Sequence, residues 1–206
     1  AITGRDAMNA ILPSYGAASY QAADGTLRVA RLVAPESHAG APTFELDRVD
    51  MAEDLIAVPD DAPNLTRRMA YRPNAQALAA ADLGTDVVDV PQWRRDELTS
   101  LYRAQVYGAG ALHPHYRHAD GADPVISLFW RAADAQAEID RVIALYRQQR
   151  FFYQMTVQGD LELAPEPGQI GRITYNRYGL EGGKLVLVRR AERNPTTGDV
   201  VLTVWG

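Results

Sequence analysis

Residues 165–206 read P-E-P-G-Q-I-G-R-I-T-Y-N-R-Y-G-L-E-G-G-K-L-V-L-V-R-R-A-E-R-N-P-T-T-G-D-V-V-L-T-V-W-G. Three β-rich runs are separated by turn signals, Asn176 to Gly179 with Gly182-Gly183 between the first two, and Asn194-Pro195-Thr196-Thr197-Gly198 between the second and third. This spacing predicts an antiparallel meander. In Lys184 to Arg190, Leu185 and Leu187 fall on one face and Val186 and Val188 on the other, so both faces are expected to be buried, as in a barrel or sandwich. The last run repeats the pattern, with Val200, Leu202 and Val204 against Val201, Thr203 and Trp205. No nucleophile stands beside a base in this stretch, which reads as scaffold or docking surface.

Immediately upstream, Phe151, Tyr153, Met155 and Val157 alternate with Phe152, Gln154 and Thr156, a strand pattern. Before it comes the best helix of the chain, Ala132 to about Arg147. There Ala135, Ile139, Val142, Ile143 and Tyr146 recur at spacings of three and four, Asp134 stands in the first turn and Arg147 in the last. The helix is expected to pack on the sheet containing the strand that follows it. Ser127-Leu128-Phe129-Trp130 reads as a short apolar strand leading into it.

At the other end, Thr3 with Asp6 three residues later resembles a capping box. Ala7, Met8, Ile11 and Leu12 then give a short helix an apolar face until Pro13. Ser19-Tyr20-Gln21 and Thr26 to Leu32 flank Asp24-Gly25, a strong hairpin signal. Phe44-Glu45-Leu46 follows a loop rich in Ala, Pro and Gly. The acidic segment Asp47 to Leu55 is compatible with one or two helical turns before Pro59 and Pro63. Leu65 to Tyr71 alternates as a strand that Pro73 either puts at a sheet edge or ends, and the prolines on both sides with Arg67 and Arg68 are compatible with an edge. Pro91 opens a short polar helix, and Leu101 to Tyr107 reads as a strand.

The chain's 206 residues suffice for one large domain or two small ones without covalent staples. There is no cysteine, which excludes disulfides, thiolate metal sites and thiol catalysis. The net charge is −5, and Lys184 is the only lysine. Nothing in that balance supports nucleic-acid binding. No apolar run approaches the roughly twenty residues of a membrane helix, and no signal peptide opens the chain, so a soluble protein is expected. The chain begins without Met, directly in a helix-start signal, and is expected to be a domain of a longer polypeptide.

Three constellations bear on chemistry. His113-Pro114-His115-Tyr116-Arg117-His118, with Asp120 and Asp123 beyond, offers enough donors for a divalent metal, but Pro114, Gly121 and Pro124 make it a loop with nothing to orient the ligands. Asp47, Asp50, Glu53 and Asp54 could mimic a glycosidase pair, yet a solvated acidic face accounts for them. Trp93, Tyr102, Tyr107 and Tyr116 could stack on sugars, although scattered aromatics usually serve a core or an interface. Gly168 to Gly171 and Gly179 to Gly183 read as turns, since neither opens a helix as a phosphate-binding loop does.

Taken with their order, several of these pieces resemble the tail-tip or baseplate hub proteins of long-tailed bacteriophages and prophages. The pieces are T-G-R-D-A-M-N-A-I-L from Thr3, D-G-T-L-R-V-A-R-L from Asp24, A-D-A-Q-A-E-I-D-R-V-I-A-L-Y from Ala133 and R-F-F-Y-Q-M-T-V from Arg150. The closing G-Q-I-G-R-I-T-Y-N-R-Y-G-L-E-G-G-K-L-V-L-V and V-V-L-T-V-W-G match best, and Pro73 to Pro124 matches poorly. The resemblance implies a structural, non-enzymatic tail component with no cofactor. It implies a homotrimer around a threefold axis in the virion, contacting the distal tail and tape-measure proteins, or cytoplasmic during assembly. It carries no catalytic, cofactor or metal residues onto this chain. A carbohydrate- or cell-wall-binding module and a metal-dependent hydrolase using His113, His115 and His118 are the competing readings. The expected fold is α+β, with antiparallel meander or barrel-like sheets and one long helix packed on a sheet. The expected division is 1–75 (helix and hairpin), 76–130 (mixed insertion) and 131–206 (helix and meander completing the N-terminal sheet).

Overall fold

The structure, a computed structural model, describes residues 3–22, 24–59, 68–83, 90–116, 123–158 and 165–206. In chain order these form α1 (Gly4–Ile11), β1 (Ala17–Gln21), β2 (Leu27–Arg31), β3 (Glu45–Leu46), β4 (Ile56–Pro59), β5 (Arg68–Pro73), α2 (Gln92–Thr99) and β6 (Tyr102–Tyr107). They continue with β7 (Val125–Ile126), α3 (Ala132–Leu145), β8 (Phe151–Val157), β9 (Ile170–Ile173), β10 (Lys184–Arg193) and β11 (Val200–Trp205). The class is α+β and rich in antiparallel strands, as expected, but the sheets stay open and no barrel closes among the described residues. None of the described helices is long and apolar enough to cross a membrane. Two compact units, each discontinuous in sequence, divide the chain: Ala1–Tyr15 with Ala62–Arg147, and Gly16–Asp61 with Gln148–Gly206.

The Gly16–Asp61 and Gln148–Gly206 unit is built on the C-terminal meander. Its six-stranded sheet has the order β3-β9-β10-β11-β8-β4. The antiparallel pairs run Lys184↔Ile173 to Leu187↔Ile170, Leu187↔Trp205 to Arg193↔Val200, and Val200↔Val157 to Trp205↔Phe152. Glycines at positive φ make the reversals possible: Gly179 (φ 73°) and Gly183 (φ 77°) before β10, and Gly198 (φ 80°) before β11. One sheet face presents Tyr153, Met155, Val157, Val186, Val188, Leu202 and Val204, and Leu46, Met51, Leu55, Tyr175 and Leu180 join them in the core. β4, absent from the sequence reading, runs along β8 with Ile56↔Gln154 and Pro59↔Phe151. Of the helical turns expected in Asp47 to Leu55, one 3-10 turn forms, Arg48–Asp50, capped by Asp47. The predicted hairpin is the separate β1–β2 ribbon, in which Asp24 Oδ1 accepts from Thr26 N at 2.9 Å and Gly25 takes φ 81°. Hydrogen bonds from Thr26 and the neighbouring Arg28 guanidinium push the Asp24 carboxyl down to about 2.

The other unit corrects three expectations. α3 packs on β5 and β6, not on the sheet containing β8. Its stripe of Ala135, Ile139, Val142 and Ile143 was legible, but periodicity names a buried face without naming the sheet that buries it. β5 is the central strand of the order β6-β5-β7, not an edge, and residues 65–67 of the expected run lie outside the described residues. Met69, Ala70 and Tyr71 are buried in succession, as fits a strand with a neighbour along each edge, so the prolines mark the strand's limits rather than an exposed edge. The short strand before α3 is Val125–Ile126, two residues upstream of the expected Ser127 to Trp130. α1 carries the predicted capping box, Thr3 with Asp6. α2 follows Pro91, and β6 matches the expected strand.

A close approach holds β3 against the meander. A Cβ on Gly171 would lie 2.1 Å from the Phe44 ring, so only glycine admits that ring beside β9. Gly171→Ala is expected to destabilise the protein by ~1–3 kcal/mol through overpacking. Phe44→Leu in the same chain should recover part of the loss, both read from denaturant midpoints.

Candidate interaction surfaces

The residues singled out in the sequence do not converge. Tyr116 N donates to the His113 carbonyl at 2.8 Å and His115 N to His113 Nδ1 at 3.2 Å, a local turn. Tyr116 is fully buried, edge-on to Tyr146 and His115, and serves as core. His118 and Asp120 lie outside the described residues, while Asp123 is exposed. Among the described residues no group of three or more His, Asp or Glu could hold a metal ion. In the acidic segment, Asp47 and Asp50 cap their own turn, and Asp54 accepts from the Tyr175 hydroxyl at 3.1 Å and pairs with Arg48 at 3.1 Å. These carboxylates are occupied in holding the turn. Of the other aromatics, Tyr102 receives a hydrogen bond from Gln105 Nε2 at 2.9 Å, and Trp93 and Tyr107 are exposed.

One polar cluster escaped the sequence reading because its members are far apart in the chain. Arg150, itself only 3% exposed, donates to Glu36 (Nη1 to Oε2, 2.9 Å) and stacks over Trp205 at 4.9 Å from the ring centroid. Those hydrogen bonds hold the Glu36 carboxyl below its ordinary value of 4.5. The half-buried Lys184 ammonium lies 5.7 Å from the Tyr153 ring centroid, and its hydroxyl contact with Tyr153 is long, at 3.5 Å. Burial pushes the Lys184 amine down from 10.5, Arg150 adds to the effect and Glu36 opposes it. The pair pins the turn Pro35–Ser37 to the unit's sheet, a stapling role rather than a catalytic one. Elsewhere in this unit a cleft of about 300 Å³ lies beside the hairpin base, lined by Gln21, Ala22, the Pro165–Pro167 turn and Val200. Its carboxylate, Glu166, is committed to Arg28 at 2.7 Å.

Among the described residues, one face of the three-stranded sheet carries several exposed large apolar side chains. Register and alternation put Tyr107, Gln105, Ala70 and Ile126 on one face, and Leu128 and Trp130 continue it. Met69, Tyr71, Val106 and Phe129 on the opposite parity are buried, as the face receiving α3 must be. On the open face Tyr107 is 65%, Ile126 52%, Leu128 45% and Trp130 65% exposed. Arg72 fixes this segment. At φ 56°, uncommon for a residue other than glycine, it donates its N–H to the Phe129 carbonyl at 2.7 Å and Nε to the Trp130 carbonyl at 3.2 Å. The hairpin shows a smaller counterpart. Ala30 meets the turn at Gly168 and Arg28 pairs with Glu166, so that face is covered, whereas Leu27 (59%) and Val29 (55%) on the other are exposed. The sequence held both signals as apolar alternation, but alternation does not say which face lacks cover.

No family model and no curated protein matches the chain. Several solved structures share its fold, among them the following two. The tail protein from Neisseria meningitidis MC58 superposes with a TM-score of 0.51 at 16% identity, over 97% of this chain and 53% of that one. A chain of the virion of the native gene transfer agent particle superposes with a TM-score of 0.55 at 15% identity, over 98% of this chain and 38% of that one. The chain thus spans about half, or less, of the length of these structures.

The Glu36 pair sets an acid limit. A depressed carboxylate contributes stability that is fully present above its unfolded value of 4.5 and is lost as pH falls through its lower folded value. Glu36→Gln is therefore expected to lower the unfolding free energy at pH 7 by ~1–3 kcal/mol, read from denaturant titrations, leaving Arg150 buried without its carboxylate. It should also flatten the loss of stability below pH 4.5, measured by titrating both proteins through the acid range.

Proposed function

We propose that this chain is a structural, non-enzymatic component of a phage or prophage tail tip or baseplate hub, assembling in the virion with other tail proteins. The observation that carries the reading is the shared fold, which extends over nearly the whole chain in a tail protein and in a virion component. Independent support comes from the order of the motifs from Thr3 to Trp205 and from the open apolar sheet face. A protein that acts alone in solution seldom leaves four large apolar side chains exposed on one sheet face, whereas an assembly component needs such a surface. The natural partners are the distal tail and tape-measure proteins and further copies of this chain, arranged as a homotrimer. Of the four aromatics that a sugar-binding module would use, Tyr116 is core and Tyr102 is engaged by Gln105, which leaves Trp93 and Tyr107.

Immunogold labelling of an epitope tag on the full-length protein in assembled particles tests this. Label confined to the tail tip, with three copies per particle by quantitative mass spectrometry, is the expected result. Label on the capsid or along the tail shaft, or protein absent from purified particles, would overturn it.

A further inference from the structure

We propose that the cleft beside the hairpin base is a binding site for a small aliphatic carboxylate, the chemistry presented by a carboxy-terminal leucine of a polypeptide or by a free branched-chain acid. The site stands whether or not the chain is a tail component. Its walls are fixed by contacts of their own. The hairpin wall ends at Ala22, whose N–H donates to the Thr26 carbonyl at 2.9 Å. The facing wall, Pro165–Pro167, has two ring-locked φ angles, and Gln169 closes its turn: Glu166 N donates to Gln169 Oε1 at 3.1 Å and Gln169 N to the Glu166 carbonyl at 3.1 Å. Arg28 pairs with Glu166 at 2.7 Å, and Gly168 passes Ala30 so closely that a Cβ would lie 2.8 Å from it, which fastens one wall to the other. β10 and β11 supply the third side through Ala191, Arg193 and Val200. The walls cannot close together without breaking these contacts, so the space exists before a ligand arrives and binding costs little ordering.

The lining sets the chemistry of the ligand. Ala22, Pro165 and Val200 are buried and give the cleft an apolar floor. Its volume of about 300 Å³ equals that of roughly ten waters in the liquid, room for a ligand of about that many non-hydrogen atoms. Arg193 stands directly opposite Val200 in the β10–β11 ladder. Among the described residues its guanidinium makes one hydrogen bond, from Nε to the Gly198 carbonyl, and that contact is long, at 3.5 Å. The Gln21 side-chain amide makes none among the described residues. The lining's one carboxylate, Glu166, is already engaged by Arg28. An apolar floor with an uncommitted guanidinium beside it suits an aliphatic acid, whose carboxylate accepts two parallel N–H donors from one planar fork. An ammonium in the same place would meet Arg193 and compete with Arg28 for Glu166.

The probes are N-acetyl-leucine and isocaproate, each titrated into the full chain, isotope-labelled at its methyl groups, and followed by NMR. Saturable shifts at Ala22, Ala191 and Val200 are expected, with half-saturation by the better acid on the order of 1 mM. N-acetyl-leucinamide, which lacks the carboxylate, and isopentylamine, which reverses the charge, should bind about tenfold more weakly or worse. The two acids separate the sources: isocaproate binding as well as N-acetyl-leucine assigns the site to free acids, and weaker binding assigns it to a polypeptide end. Arg193→Glu should weaken the acids about tenfold with circular dichroism unchanged, whereas Arg189→Glu, the same charge change at an exposed position outside the lining, should leave them unaffected. No shift at the three methyl-bearing residues with either acid up to about 20 mM would overturn the proposal. Amide or amine binding as tight as the acids, or equal losses in the two arginine variants, would overturn it as well.

Discussion

The pairing of β11 with β10 on one side and β8 on the other is the constraint on which the second unit depends. β11 has neighbours along its whole length, and Val200, Leu202, Val204 and Trp205 are all buried. Slipping either register by one residue would turn Leu202 and Val204 out of the core and bring Thr203 in. Every other strand of that sheet is placed at second hand: β9 through β10, β3 through β9 and β4 through β8. The 3-10 turn at Pro35–Ser37 is placed by the sheet as well, since Arg150 anchors Glu36 at the mouth of β8.

In the other unit, one helix does what a second sheet would do elsewhere. α3 buries one face of β5 and β6 with a single stripe, and the close passage at Gly108 admits Ile143 where any Cβ would collide at 2.0 Å. The helix cannot also cover the reverse face. That leaves the row from Ile126 to Trp130 held rigid by Arg72 yet uncovered, a combination suited to a docking surface because little order remains to be lost on binding.

How much of this was legible depended on how local each signal was. The meander was legible because Gly183 and Gly198 mark its reversals within the stretch itself, and α3, β8 and the hairpin at Asp24-Gly25 are equally self-contained. β4 was missed because Ile56-Ala57-Val58 is too short to show a period and follows an acidic run. The partner of α3 and the central place of β5 are decided by residues roughly thirty or more positions away, which no window of sequence reports. The same holds for the surfaces. Tyr107 stands out in the sequence as an aromatic, but its grouping with Ile126 and Leu128 exists only through their common neighbour β5. The Glu36–Arg150 pair joins positions 114 residues apart.

The ladder between β4 and β8 has a consequence for how this chain could have been enlarged. Pro59 pairs directly with Phe151, so the polypeptide leaves the six-stranded sheet and returns to it at adjacent points, where a simple hairpin would need only a short turn. Most of the other unit lies within that excursion. Doubling such a loop costs only ~0.6 kcal/mol in closure entropy. The position is therefore a tolerant insertion point, at which the intervening segment can be lengthened or shortened while the pairing on either side is preserved.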